Sequence, residues 1–193
     1  MRKLVLFSAV VLLLSSCSGS KYAAFTRCEF RLHSLQDLEV CNVKASDKSS
    51  WSDFSYMQGQ VVVDRLKKQS FPFELTVNIE ARNPGKKVAA VKSIQWMALI
   101  DDLQVAQGEV DHYAKIPASG GTSIIPIRLQ ADLFDYLKGE DPQSKLNFAL
   151  NLINEGKQDS QLTLKIKPSI RISGQEIRYS NYFMITEEFR SGN

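Results

Sequence analysis

The chain has 193 residues, 44% of them hydrophobic and 23% charged, a size that suits one domain with at most a small addition. Its formal charge of +3 includes Arg2 and Lys3 at the very start. Without those two the balance is about +1, too neutral for nucleic acid, which needs a sustained basic face. Lys67-Lys68 and Lys86-Lys87 accordingly read as solvated ends of elements.

Arg2 and Lys3 precede residues 4–14, an apolar run interrupted only by Ser8. Spanning a bilayer takes about 20 apolar residues, so this run is too short, and a basic start, a short apolar run and then small residues form a secretory signal. The cysteine refines that reading. Leu14-Ser15-Ser16-Cys17 resembles the lipobox of bacterial lipoproteins, which implies cleavage after Ser16 and acylation of Cys17. Two or three acyl chains hold durably where one is marginal. Ser18 stands where an aspartate would signal inner-membrane retention, which implies the outer membrane, facing the periplasm. Residues 1–16 are then a removed signal, 17–26 a lipidated tether, 27–186 one domain and 187–193 a tail.

"CEFRLHS" alternates, with Cys28, Phe30 and Leu32 on one face, and "LEVCNV" alternates again; both predict strands. Between residues 52 and 68, Phe54, Met57, Val61 and Leu66 recur at nearly helical spacing, with Ser52 or Asp53 as cap and Lys67-Lys68 at the end. The longest signal follows. Phe71, Phe73, Leu75, Val77, Ile79 and Ala81 alternate with polar residues and Pro72, which predicts a half-buried strand. Asn83-Pro84-Gly85 ends it as a turn, with the Asn83 side chain bonding nearby backbone.

"SIQWMALIDD" is apolar on both faces and predicts an interior strand, turned by Asp101-Asp102 into "LQVAQGEV". After a turn at 118–121, "TSIIPIRLQ" is a strand whose Pro126 removes a ladder donor and favours an edge or a bulge. Asp141-Pro142 begins a helix carrying Leu146, Ala149, Leu150 and Ile153 on one face, closed by Gly156. "QLTLKIK" and a hairpin around Gly174 complete the chain. Many short strands punctuated by Pro and Gly predict a mainly β protein, a β-sandwich with one or two short helices.

Residues 71–130 resemble the late-embryogenesis-abundant (LEA) type 2 domain, also called the water-stress and hypersensitive-response domain. The resemblance rests on an alternating strand ending in Asn83-Pro84-Gly85 (commonly Asn-Pro-Asn in the family) and on "IQWMALIDD". It continues through "VAQGEV", with Gly108 at a small-residue position, to "KIPASGGTSIIPIRL". "LTLKIKPSIRISGQEIRY" is similar to the last strands of Bacteroides-group lipoproteins carrying this domain. The resemblance implies an immunoglobulin/fibronectin-III-like sandwich, an association with stress tolerance, and no catalytic residues or cofactor.

The residues themselves name no reaction. His33 and His112 are isolated, without the convergent ligands that zinc needs. No Gly-x-Ser-x-Gly elbow or phosphate-cradling glycine loop occurs. Asp101-Asp102 and Glu187-Glu188 are neighbours in sequence, so in strands they would face opposite ways. Asp111-His112-Tyr113 is the nearest approach to an acid–base cluster, with no nucleophile beside it. Cys28 and Cys41 stand in an exported chain, where a bridge would contribute roughly 3 kcal/mol; the alternative is two small buried apolar residues. Trp51, Phe54, Tyr56, Tyr179, Tyr182 and Phe183 either line a binding surface or plug the ends of the sandwich. The expected partners are a membrane, through the lipid, and a protein of the envelope.

Overall fold

The computed structural model describes residues 24–48, 50–151, 160–172 and 174–189. Cys17, Ile153 and Gly156 lie outside them.

Bulged strand β1 (Glu29–Val40) absorbs the first predicted strand and the start of the second. It pairs antiparallel with β3 (Pro72–Asn83), and the register slips at His33 and again before Glu39. "LEVCNV" is therefore the end of β1, a turn at Cys41-Asn42, and the two-residue strand β2 (Val43–Lys44). The reason is local. Cys41 and Asn42 both take positive φ, 54° and 66°, as in the two-residue turns that match the twist of a hairpin.

A 3-10 turn at Trp51–Asp53 leads into helix α1 (Tyr56–Lys67). Its cap is Ser55, further along than the sequence suggests: Gln58 N donates to Ser55 Oγ at 3.3 Å, and Ser55 N donates to Gln58 Oε1 at 2.9 Å. This reciprocal pair satisfies two donors that a helix start leaves open. The buried face also differs. Val62 is fully buried and Leu66 packs on the core, whereas Met57 and Val61 are 72% and 42% exposed. Only a narrow strip of α1 lies against the sandwich, so one apolar pair at i, i+4 suffices.

The remaining strands are β4 (Ala89–Val91), β5 (Ser93–Ile100), β6 (Leu103–Val110), β7 (Ala114–Ile116) and β8 (Gly121–Asp132), then helix α2 (Pro142–Asn151), then β9 (Ser160–Ile172), β10 (Gln175–Arg178) and β11 (Phe183–Phe189). One sheet runs β2-β1-β3-β8. The other runs β10-β9-β5-β6, with β11 also on β9, and β4-β7 form a separate ribbon. The fold is a mainly β sandwich. As predicted, β5 is interior, Pro126 sits on an edge strand opposite Asn78, and Asp101-Asp102 turn with positive φ of 48° and 65°. Gly174, at φ 84°, turns β9 into β10. Asp141 caps α2, its Oδ1 accepting from Gln143 N at 2.8 Å and Ser144 N at 3.1 Å.

The core lies between the sheets. Phe73, Leu75, Val77, Ile79 and Ala81 of β3 are all buried, as are Ile94, Trp96, Ala98 and Ile100 of β5 and Leu162, Leu164 and Ile166 of β9. Gly108 sits opposite Trp96 in the β5–β6 register. A Cβ there would come within 2.6 Å of Trp96 Cζ2, so the indole covers a position only glycine can hold.

Two boundaries move. Ala24 and Phe25 are buried, so the domain begins inside the segment expected to be tether. At the other end β11 runs to Phe189, beyond the expected boundary at 186. No helix among the described residues is long and apolar enough to cross a membrane.

Candidate functional site

Three polar or concave places stand out. At the end where β1 finishes and β3 begins, an open cavity of about 440 Å³ is lined by Glu39, Asn42, Phe73, Glu74, Gln130 and Asp132. Asp132 accepts from Phe71 N at 2.8 Å, Phe134 N at 3.0 Å and Ser70 Oγ at 2.7 Å. Burial opposes its ionisation, yet these donors and the charge of Arg65 outweigh it and hold the carboxyl below its usual range. Asp132 therefore favours the fold above the unfolded carboxyl pKa, and that contribution fades as pH falls through the lowered value. Glu74 accepts from Gln130 Nε2 at 2.6 Å and Arg128 Nε at 3.1 Å, and Asn42 Oδ1 from Arg65 at 3.1 Å. These groups spend their hydrogen bonds tying loops to strands.

The second place is the outer face of the β9 sheet. Ser93 and Ser169, both buried, meet at 2.8 Å. Ser93 Oγ is 3.0 Å from Glu109 Oε1 and 3.1 Å from Glu176 Oε1, and Arg178 donates to Glu109 at 2.9 Å. The hydroxyls of Ser169 and Ser93, with Lys92 and Arg178, hold the Glu176 carboxyl below its usual range. A serine beside carboxylates needs a base with a usable pKa and donors for an oxyanion before it can attack a carbonyl. Here both carboxylates are committed to Arg178. The cluster works as a clamp across β6, β5, β9 and β10.

The third place lies at the opposite end, against the β4-β7 ribbon. A groove of about 270 Å³ is lined by Val88, Val91, Tyr113 and Ile170 and rimmed by Lys92, Lys115 and Arg171. Val88 and Tyr113 are 55% and 62% exposed. No sequence signal reports this groove, because it is assembled from three separate segments.

The sequence candidates distribute as follows. Asn83 is fully buried, and its amide donates to Lys87 O at 2.8 Å and Ile116 O at 3.2 Å while Oδ1 accepts from Gly85 N at 3.0 Å. It is the turn former the sequence predicts. Asp101 accepts from Gln161 N at 2.8 Å and Tyr136 OH at 3.1 Å, and Asp111 pairs with Lys92. His33 Nδ1 lies 3.8 Å from Glu80 Oε2. Among the described residues no three His, Cys, Asp or Glu side chains gather as a metal site would need. The aromatics mostly plug: Tyr179 stacks on Phe183 at 4.8 Å and meets Phe25 at 6.1 Å, and Trp51 stacks on Phe54 at 6.3 Å. Tyr56 and Tyr182 stay exposed.

Cys28 and Cys41 are free, buried thiols, so the bridge considered from the sequence does not form. The reason is the strand between them. Cys28 precedes β1 and Cys41 follows it, and a strand of this length runs roughly 40 Å, against a Cα separation of about 4.4–6.8 Å for a disulfide. Burial, joined by the charge of Glu29, pushes the Cys28 thiol up to about 11; burial pushes Cys41 up to about 12. Below the unfolded thiol pKa of about 8.5 both favour the fold fully, and that contribution is lost as pH rises through the folded values. Native protein is expected to leave both cysteines unalkylated at neutral pH, while unfolded, unreduced protein gives two titratable thiols. An unreduced, unfolded chain in which neither reacts would contradict this.

No protein-family model matches the chain, and no curated protein matches it in sequence. Solved structures resemble it distantly. A protein from Archaeoglobus fulgidus superposes at a TM-score of 0.39 with 14% identity, covering 84% of this chain and 98% of that one. AT1g01470 from Arabidopsis thaliana gives 0.43 and 11%, covering 82% and 80%. At2g46140.1, described as a putative late embryogenesis abundant (LEA) protein, gives 0.38 and 12%, covering 98% and 87%. At such scores the likeness carries neither family nor function to this chain.

Proposed function

We propose that this chain is a lipid-anchored, non-catalytic sandwich protein of the bacterial cell envelope, of the LEA type 2 kind, whose work is binding or stress protection. The observation that carries the reading is Leu14-Ser15-Ser16-Cys17 behind a short apolar leader. The Asn83-Pro84-Gly85 turn and the strands around it support the LEA type 2 part. The non-catalytic part is supported by the use of the polar groups at the far cavity and the Ser93 cluster as structural ties. The lipid places the protein on the outer membrane facing the periplasm, Ser18 being the residue that follows the cysteine.

Mass spectrometry of the mature N-terminus is expected to show acyl groups on Cys17, and Cys17→Ala to release the protein from the membrane fraction. A Cys17→Ala protein that stays fully bound would overturn the anchoring. A second reading, an accessory subunit of an envelope assembly or transport complex, is favoured by one observation: Tyr56 and Met57 on α1 are 78% and 72% exposed. Pull-down of the lipidated protein separates the two readings. A stoichiometric partner supports the subunit, and osmotic sensitivity of cells lacking a partnerless protein supports protection.

A further inference from the structure

The geometry points to a second membrane contact: the ribbon end of the sandwich docks on an anionic lipid surface, with Val88 and Tyr113 at the interface and Lys86, Lys87, Lys115 and Arg171 over the headgroups. The inference rests on the anchoring of Cys17 argued above.

The described chain starts at this same end. Phe25 is buried against Tyr179, Tyr179 N donates to Pro168 O at 2.9 Å, and Pro168 stands two residues before Ile170 of the groove. Glu29, the first residue of β1, pairs with Arg82 near the end of β3, and the next side chain, Asn83, ties that end to Lys87 and Ile116 of the ribbon. Cys17 is separated from Ala24 by residues 18–23 alone, which span about 25 Å at full extension. A lipid on Cys17 therefore holds this end within one short tether of the bilayer.

The charges at this end suit such a surface. Lys86 and Lys87 sit exposed in the turn just before Val88, and Lys115 and Arg171 are exposed on the rim. Among the described residues none of these four has a carboxylate at ion-pair distance, whereas the nearby acids are engaged: Asp111 by Lys92, Glu29 by Arg82, and Glu109 and Glu176 by Arg178. Glu176 lies across from Arg171 in the β9–β10 register, but its carboxylate is turned to Ser93 and Arg178. Cations beside an exposed valine and tyrosine match the headgroup layer, which takes positive charge at the phosphates and amphipathic rings at the interface.

The test uses the full lipidated chain in vesicles of phosphatidylglycerol mixed with phosphatidylcholine, and of phosphatidylcholine alone. A polarity-sensitive fluorophore is placed at Val88→Cys, with Met57→Cys on α1, at the far end, as the control; buried Cys28 and Cys41 stay unlabelled. The probe at 88 is expected to shift to the blue and lose access to an aqueous quencher in the anionic vesicles only. The shift should vanish on replacing Lys86, Lys87, Lys115 and Arg171 by Glu, and at about 1 M salt, where charges are screened beyond roughly 3 Å. The probe at 57 should not respond. An acylated chain whose probe at 88 stays in water, shifts equally in both vesicles, or shifts with inorganic phosphate alone overturns the docking and leaves the anchor standing. A Cys17 without acyl groups overturns both.

Discussion

Val77→Asp is expected to abolish the cooperative thermal melt. Val77 is 1% exposed in the middle of β3, paired with Leu35 of β1 on one side and Ile127 of β8 on the other. A carboxylate there has no partner, and leaving it costs several kcal/mol even if it takes up a proton. Domains of this kind hold only about 5–15 kcal/mol in total. Asn78→Asp, one residue along, is the companion measurement and should be milder without being silent. Asn78 is only 8% exposed and donates to Ser34 Oγ at 3.0 Å, and buried Glu80 shares its face, held by Arg31. Losing that donor beside another acid should cost about 1–3 kcal/mol, or roughly 3–10 °C in Tm for a chain of this size. Far-UV circular dichroism and melts decide it: Val77→Asp melting like wild type would mean β3 does not face the core.

Asn83→Asp should be the largest loss available from an isosteric change. The introduced carboxyl keeps an acceptor for Gly85 N but turns its other oxygen toward the carbonyls of Lys87 and Ile116, where an amide now donates. About 3 kcal/mol or more is expected at neutral pH. The pH dependence identifies the cause. Burial against two carbonyls raises the folded pKa of the new carboxyl, so its protonated form, which can donate to one of them, is favoured by folding. The deficit is then smallest below the unfolded value of about 3.9 and grows as pH rises through the folded one. Asn83→Ala, which has no proton to offer, should lose stability without that slope. Melts of both variants from about pH 4 to pH 7 separate the two, and a wild-type Tm for Asn83→Asp would show the amide to be idle.

Strand β3 shows what the sequence could and could not reveal. Its alternation places Phe73 to Ala81 inward without ambiguity, because side chains on a strand repeat every second residue. It does not say how well the other face is covered, and a central strand has neighbours on both sides. Asn78 and Glu80 are buried under side chains of β1, residues whose pairing with β3 no local pattern reports. On α1 the same limit appears as a rotated face, since Met57 and Val62 fit an apolar stripe about equally well and only the packing of α1 against the sandwich chooses Val62. Nothing in the spacing of 28 and 41 says that a single extended strand holds the two cysteines apart. The ribbon-end groove is out of reach altogether, since Val88, Tyr113 and Arg171 come from distant parts of the chain.

Strand β9 bears on how the chain reaches this fold at all. It pairs with β5 along one edge, from Ser93↔Ser169 to Ile100↔Leu162, and carries both β10 and β11 on the other. Everything from β6 to α2 is threaded between β5 and its partner. As the polypeptide emerges from its amino end, β1, β3 and β8 can complete one sheet early, while β5 waits with one open hydrogen-bonding edge until β9 arrives. Such long-range pairing is slow to form, and a waiting apolar edge invites pairing with another molecule. A chain stopped before Leu162 would keep that edge bare and leave the core without Leu162, Leu164 and Ile166, so the arrival of β9 is the step that commits this molecule to one shape.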